Sequence, residues 1–429
     1  MSPRARRPVL DSSRFGRTPV IFLLGLVACS IVAIVALVAV VLQRGPAPAL
    51  VGLLLALLPF PLLVSLLLYL DRLEPEPRAL LAAIFGTGAG IAVVTALIGR
   101  ALHTAAITTP DLAPHPSLTA PVPAGAAIGG ALVAETLNGL VLLALLASRR
   151  TEIDGVEDGV VYGSMVGLGF ALVANVYGYS VAWGNGAAAI AEEFTRRGIF
   201  GPAFHALFTA LIGLGVAYAA TRPAVTGRYL AIVAGWAAAV ALDALWNHSV
   251  TAEGTALLTT YVILVGALIV VITAVVADRQ RVIKMITSFL PDFEDPEVVT
   301  AKDIPMLANL RMRRLGRHWA RLNLGLDGRR AMTQYQLAAT ELAMACRRKS
   351  LGQTSHDVYE RHRDDSLTLM RDAAAVVRSQ EHLYPPPWLA PDDRSVFVSD
   401  PAATPSGPVG PDSPDEGPGS RPTWPPDWG

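Results

Sequence analysis

Long apolar runs separated by short polar breaks fill the first two-thirds of the chain. They fall at about 19–42, 49–70, 79–99, 125–148, 158–182, 201–221, 228–250 and 255–277. At 1.5 Å of rise per helical residue, each is long enough to cross a hydrocarbon layer of about 30 Å. The pattern predicts an all-α fold, a polytopic membrane helical bundle of about eight transmembrane helices. Beyond residue 278 charged positions return, and 279–383 predicts several helices, with Pro291, Pro296 and Pro305 punctuating their start. From Pro385 onward, 13 of 45 residues are proline. Gly, Ser and Asp supply much of the rest, which predicts a disordered tail. The expected organisation is a basic N-terminus at 1–18, a transmembrane domain at 19–277, a helical region at 278–384 and a Pro-rich tail at 385–429.

Composition agrees with this layout: 52% of the 429 residues are hydrophobic and 16% charged, the balance of a membrane protein rather than a large soluble domain. Arg4, Arg6, Arg7, Arg14 and Arg17 precede the first run, which is too long for a signal-peptide core and reads as a retained anchor helix. Lys and Arg set the expected orientation. The N-terminus, Arg72/Arg78, Arg149/Arg150, Arg222/Arg228 and Arg279/Arg281/Lys284 fall on one side, and the other has Arg44, Arg100 and Arg196/Arg197. The richer side is expected to be cytoplasmic, and an even number of spans then puts both termini there, with the plasma membrane as the expected location. The two cysteines, Cys29 and Cys346, lie far apart in sequence and imply no disulfide framework. Gly163 and Gly167 form a GxxxG, and Gly86, Gly88 and Gly90 cluster in the third run, both read as close helix packing. From 311 to 349, ten basic residues stand against Asp327 and Glu341. That stretch reads either as contact with an anionic bilayer surface or as a solvated helical hairpin with an ordinary basic face. Nucleic acid is not an expected partner.

Against this apolar background, Glu135, His205, Asp243 and Asn247 stand out, because an ionisable group inside lipid costs at least a few kcal/mol and persists where it has a partner or a task. Helical rise places Glu135 roughly 15 Å below the outer boundary. His205 is about one turn into the sixth run, and Asp243 and Asn247 lie within about two turns of the outer end of the seventh. Asn175 lies similarly near the outer end of the fifth. Asp243 and Asn247 are spaced i, i+4 and share a helix face, while Glu135 and Asn138 are i, i+3. A convergent polar pocket in the outer half of the bilayer is expected. Taken singly, Glu135 and Asn138 also read as interhelical hydrogen-bond glue, and His205 as a packing histidine. Asp243 is hardest to dismiss, since a carboxylate at that depth must find a donor or a proton. Together they read as an O/N donor set able to hold zinc. A transporter would need charges lining a path through the bilayer, whereas these cluster at one depth.

Several stretches resemble PrsW-type membrane proteases over roughly residues 50–280. They are YLDRLEPEP (Tyr69–Pro77), EIDGVEDGVVYGSMVGLGFALVANVYGY (Glu152–Tyr179), RGIFGPAFHALFTALIGLG (Arg197–Gly215) and ALWNHS (Ala244–Ser249). The helix QYQLAATELAMACRR (Gln334–Arg348) is similar to a tail of actinobacterial members. The resemblance implies kinship with CAAX-processing membrane proteases: peptide-bond hydrolysis in or near the membrane, zinc held by acidic and histidine side chains, a glutamate as general base, and membrane-anchored protein or peptide segments as partners. It also exposes departures. Where the family has EExxK, this chain reads AETLN, with Ala134 at the first glutamate, Glu135 retained and Asn138 at the lysine. The glutamate expected after GFAxx is Ala174, followed by the matching Asn175. His205 matches the first histidine, Asp243 stands at the second, and Trp246 and Asn247 match. The expectation is a catalytically impaired homologue that binds or regulates. The alternative is an active zinc metalloprotease with a changed ligand set, Glu135 as base and His205 and Asp243 as ligands. His248 is a further candidate ligand, its other role being interfacial.

Overall fold

The computed structural model describes residues 20–71, 76–105, 124–148, 153, 155–198, 200–221, 225–249, 255–379, 386 and 388. The basic N-terminus expected from sequence lies outside the described residues, and so does the Pro-rich tail apart from Pro386 and Trp388, whose indole donates to Asp303 at 3.2 Å and packs against Trp319. Those described are 91% helical with no strand, and eight candidate spans appear among them, as the apolar runs predict. The protein is an all-α polytopic bundle.

Proline shapes the second span. It is two short helices, α2 (Pro46–Leu57) and α3 (Phe60–Leu70), following α1 (Val20–Arg44). Pro59 cannot donate to the helical ladder and Pro61 sits in the first turn of α3, so the ladder stops and restarts within an apolar run. The bundle continues with α4 (Arg78–Ala105), α5 (Ala124–Ser148) and α6 (Val156–Ala182). A short α7 (Ala187–Glu193) and a π-helical turn (Phe194–Gly198) lead into α8 (Gly201–Thr221). Then come α9 (Val225–Ser249) and α10 (Thr255–Phe289).

The spans α6 and α8 are the most enclosed, and α1 is the outermost. Their interface is set by close backbone approach. A Cβ on Gly159, Gly163 or Gly167 would come within 2.2–2.4 Å of the carbonyl oxygens of Gly213, Thr209 and His205 respectively. As the α6 number rises the α8 number falls in equal steps, so the helices run antiparallel in a fixed register. Around this pair, Tyr162, Val166, Leu168, Phe208, Ile212 and Trp246 are buried in one continuous apolar cluster.

At the end of the bundle where α6 begins, the polar segments close into a latch. Asp278 of α10 accepts from the backbone N–H of Val156 at 2.8 Å, satisfying a donor that the helix start leaves open. Arg279 donates to both carboxylate oxygens of Glu157 (3.0 and 3.2 Å) and to the Leu70 carbonyl at 2.5 Å. Asp71 accepts twice from the Glu76 N–H, and the Tyr162 hydroxyl donates to Glu76. Burial pushes the Asp71 carboxyl up from 3.8 to about 7, with the Glu76 N–H opposing and the Glu157 charge reinforcing the rise. The folded state therefore holds this proton up to about pH 7, while the unfolded chain releases it near pH 4. Stability from this group falls as pH rises across that window and levels off above it. Between pH 4 and 7 the Tm of the wild type should fall by roughly 5 °C more than that of Asp71→Asn, measured by thermal denaturation in detergent. Parallel curves for the two proteins would refute the assignment.

Helix α10 does not stop where its apolar run ends but carries on to Phe289, and a second apolar cluster begins there. It is built from α10, α11 (Asp303–Leu307), α12 (Leu310–Ser350) and α13 (His356–Arg378). α12 is kinked at Gly325, whose φ of +70° lies in the left-handed region. Arg313 is buried and donates to the Gln336 carbonyl at 2.5 Å and to Thr340. Gln353 donates to the Thr221 carbonyl at the end of α8, at 2.8 Å.

Candidate functional site

Three helices bring the buried polar side chains together. α5 supplies Glu135 and Asn138, α8 supplies His205 and Thr209, and α9 supplies Asp243 and Asn247. Helical spacing puts each pair on one face: i, i+3 on α5 and i, i+4 on α8 and α9. Glu135, Asn138, Thr209 and Asp243 are at most 1% exposed.

Thr209 is the junction. Its hydroxyl donates to Glu135 Oε2 at 3.3 Å and lies 3.3 Å from the His205 carbonyl; Asn138 Nδ2 reaches Glu135 Oε1 at 3.4 Å and Thr209 Oγ1 at 3.5 Å. Both carboxylate oxygens of Glu135 are thus engaged by neutral donors. On the other side, Asn247 Nδ2 donates to Asp243 Oδ1 at 2.9 Å. His205 Nδ1 stands 4.0 Å from that same Asp243 oxygen, too far for a hydrogen bond, and has no hydrogen-bond partner among the described residues. The His205 ring is held between Phe170 and Phe208, with centroids at 5.2 and 5.6 Å. Next to it Phe204, Trp246, Tyr261 and Phe200 form an aromatic cluster that joins α8, α9 and α10.

Asn175 makes no hydrogen bond with this group. Gly167 packs on the His205 backbone and Phe170 on its ring, and Asn175 lies about 7–12 Å further along α6. Its Nδ2 makes no hydrogen bond among the described residues. His248 is exposed, one position beyond Asn247. Thr209 was not singled out in the sequence, although it follows His205 by four residues and so shares its helix face.

Ala134 and Ala174 belong to one small apolar cluster with Ile91, Ala92, Phe170 and Leu137. This cluster lies against the His205 site through Phe170.

Residues 76–276 match the sequence profile described as PrsW family intramembrane metalloprotease. They are a PrsW-family domain. The match covers α4 to α9 and most of α10, with every residue of the polar site inside it. Comparison with curated proteins and with solved structures gave no match. The PrsW family's metalloprotease chemistry makes zinc the group to test against this site. A catalytic zinc centre takes three protein ligands plus water. Among the described residues no group of three or more His, Cys, Asp or Glu is arranged to hold a metal ion. His205 and Asp243 approach to 4.0 Å, while the Glu135 oxygens accept from Asn138 and Thr209. The side chains present do not fit a three-ligand PrsW zinc centre.

Proposed function

We propose that this PrsW-family membrane protein is impaired in peptide-bond cleavage and works by binding membrane-anchored protein segments. The observation that carries this is the shared apolar cluster of Ala134 and Ala174. Both stand where the family resemblance expects carboxylates, and a methyl group can neither bind a metal nor move a proton. Apolar neighbours around both positions would penalise a carboxylate lacking a strong partner. The site's polar remnant is correspondingly tied to itself. Glu135 accepts from Asn138 and Thr209, and Asp243 accepts from Asn247, which is how interhelical polar contacts hold a bundle together. The segments it binds are the class that active relatives would cut, presented in the bilayer that surrounds the eight spans. The Lys/Arg bias supports both termini being cytoplasmic in a plasma-membrane protein.

One observation favours a second reading, an active metalloprotease with a changed ligand set. His205 Nδ1 is without a partner and faces the Asp243 carboxylate at 4.0 Å, the start of a donor pair. Glu135 would then serve as base. Metal analysis and cleavage separate the two. Purified in detergent without chelator, the protein should hold well under one zinc per chain, roughly 0.1 or less. Cleavage of a single-span substrate should lie at least about 10²-fold below that of a family member with the full acid and histidine set. Near-stoichiometric zinc removed by His205→Ala, or cleavage abolished by Glu135→Ala, would establish the active enzyme instead.

A further inference from the structure

Where the membrane-spanning part meets the C-terminal helices, Tyr69, Arg279, Leu310, Arg314 and Arg317 line a shallow, open surface cleft. Its position is fixed by its walls. Tyr69 is the penultimate residue of α3, and Arg279 follows the end of the apolar run of α10 by two residues. The cleft therefore opens at the plane where hydrocarbon gives way to headgroups, and tyrosine is an ordinary residue of that plane. Three guanidinium groups line it. Arg279 is committed to Glu157 and the Leu70 carbonyl, and Arg317 Nη1 donates to Gln336 Oε1 at 2.7 Å, so both are held in place by the protein. Arg314 is exposed and makes no hydrogen bond or ion pair with the described residues.

A second feature starts from Arg314. The exposed positions of α12 up to its kink form one stripe at helical spacing, including Arg311, Arg314, Leu315, Arg321 and Leu322, and Leu326 follows just past the kink. Leu322 is 70% exposed and Leu326 60%. Leucines interleaved with arginines are costly toward water and suit a headgroup–acyl boundary of negative charge. An acidic protein partner would use the arginines but gives no reason for a cleft at the bilayer plane.

We propose that this cleft binds the phosphodiester of an anionic phospholipid, with Arg314 and Arg317 on the phosphate, Tyr69 beside the glycerol region and the α12 stripe on the surrounding bilayer surface. The lipid fastens the C-terminal helices to the membrane face and so fixes where they stand relative to the spans. The chemistry recognised is a phosphodiester whose headgroup keeps a net negative charge, with no choline cation to offset it, and the source is a lipid rather than free phosphate because the cleft opens at the bilayer plane.

The test uses the full chain in nanodiscs of phosphatidylcholine alone or mixed with phosphatidylglycerol, reading co-purified lipid by native mass spectrometry and Tm by heating. Phosphatidylglycerol should be retained in preference to phosphatidylcholine and should raise Tm. Arg314→Ala should weaken that retention about fivefold, the effect of one arginine at an anionic surface. Arg361→Ala, an exposed arginine on α13, is the control and should leave retention unchanged. Equal retention of the two lipids, or equal losses for Arg314→Ala and Arg361→Ala, would overturn the proposal. So would the full Tm rise with inorganic phosphate in phosphatidylcholine nanodiscs, which would make this a free-anion site. A rise given there by a polyglutamate peptide alone would point to a protein partner.

Discussion

Gly167→Ala should destabilise the protein by about 2–3 kcal/mol, the cost of overpacking a tight core, and lower Tm by roughly 5–10 °C in detergent. The added methyl carbon would sit 2.2 Å from the His205 carbonyl oxygen, 2.6 Å from its carbon and 2.9 Å from the Ala206 Cα. All three are backbone atoms of a helix, so no flexible side chain can swing aside. α6 and α8 would have to separate, and their fixed register places Gly163 and Gly159 under the same stress. Gly129→Ala on α5 is the matched control, since nothing lies within 4 Å of its Cβ position. There, helix propensity alone should act and stabilise by up to about 1 kcal/mol. The two substitutions are chemically identical and are expected to have opposite signs. A shared sign and size would mean that the α6–α8 contact is not what holds the bundle together. Because the clash is with His205 itself, Gly167→Ala should also displace the polar site in variants that remain folded.

The eight spans were legible because hydropathy reports how much apolar length a segment offers, and a bilayer demands about twenty residues of it. What hydropathy cannot see is the backbone. Leu58, Pro59, Phe60 and Pro61 read as part of one apolar run, yet the prolines divide it into α2 and α3. The charges after Ala277 mark where the chain becomes polar, but helicity does not depend on apolarity, and α10 continues to Phe289. Counting along single helices of constant rise singled out Glu135, His205 and Asp243, but not which faces they turn to one another. For Asn175, the distance from a helix end says nothing about which level of that helix faces α8. That level is set by Gly159, Gly163 and Gly167, two turns or more earlier. The GxxxG was visible as a motif, but its partner was not. Thr209 went unmarked because threonine carries no charge, and only the fold shows it joining Glu135, Asn138 and the His205 backbone. The alanines at 134 and 174 are forty residues apart in sequence, and only α4, α5 and α6 together put them in one apolar cluster.

That cluster sets the second large effect. Ala134→Glu, Ala174→Glu and Asp243→His combined should give a protein that is less stable than the parent without metal and is rescued by zinc. Two carboxylates would enter a pocket lined by Ile91, Ala92 and Phe170, where a buried charge without a partner costs several kcal/mol. The expected loss in Tm is roughly 10 °C or more in the presence of chelator. With zinc, the new carboxylates and imidazole join His205, which already presents an unpartnered Nδ1, and the donor count rises from two to as many as four. Zinc at about a thousand times its Kd would return about 4 kcal/mol by mass action, enough to reverse most of the loss. Elemental analysis should find close to one zinc per chain in the variant and little in the parent. If the triple variant does not fold, Asp243→His alone adds a second imidazole without loading the apolar cluster, and should raise zinc content above the parent's. Should the parent take up zinc as fully as the variant, His205 and Asp243 already suffice with Glu135, and the chain is an enzyme with an altered centre. Should a folded triple variant ignore zinc, the two alanines are not the missing ligands, and the case for an impaired protease loses its main support.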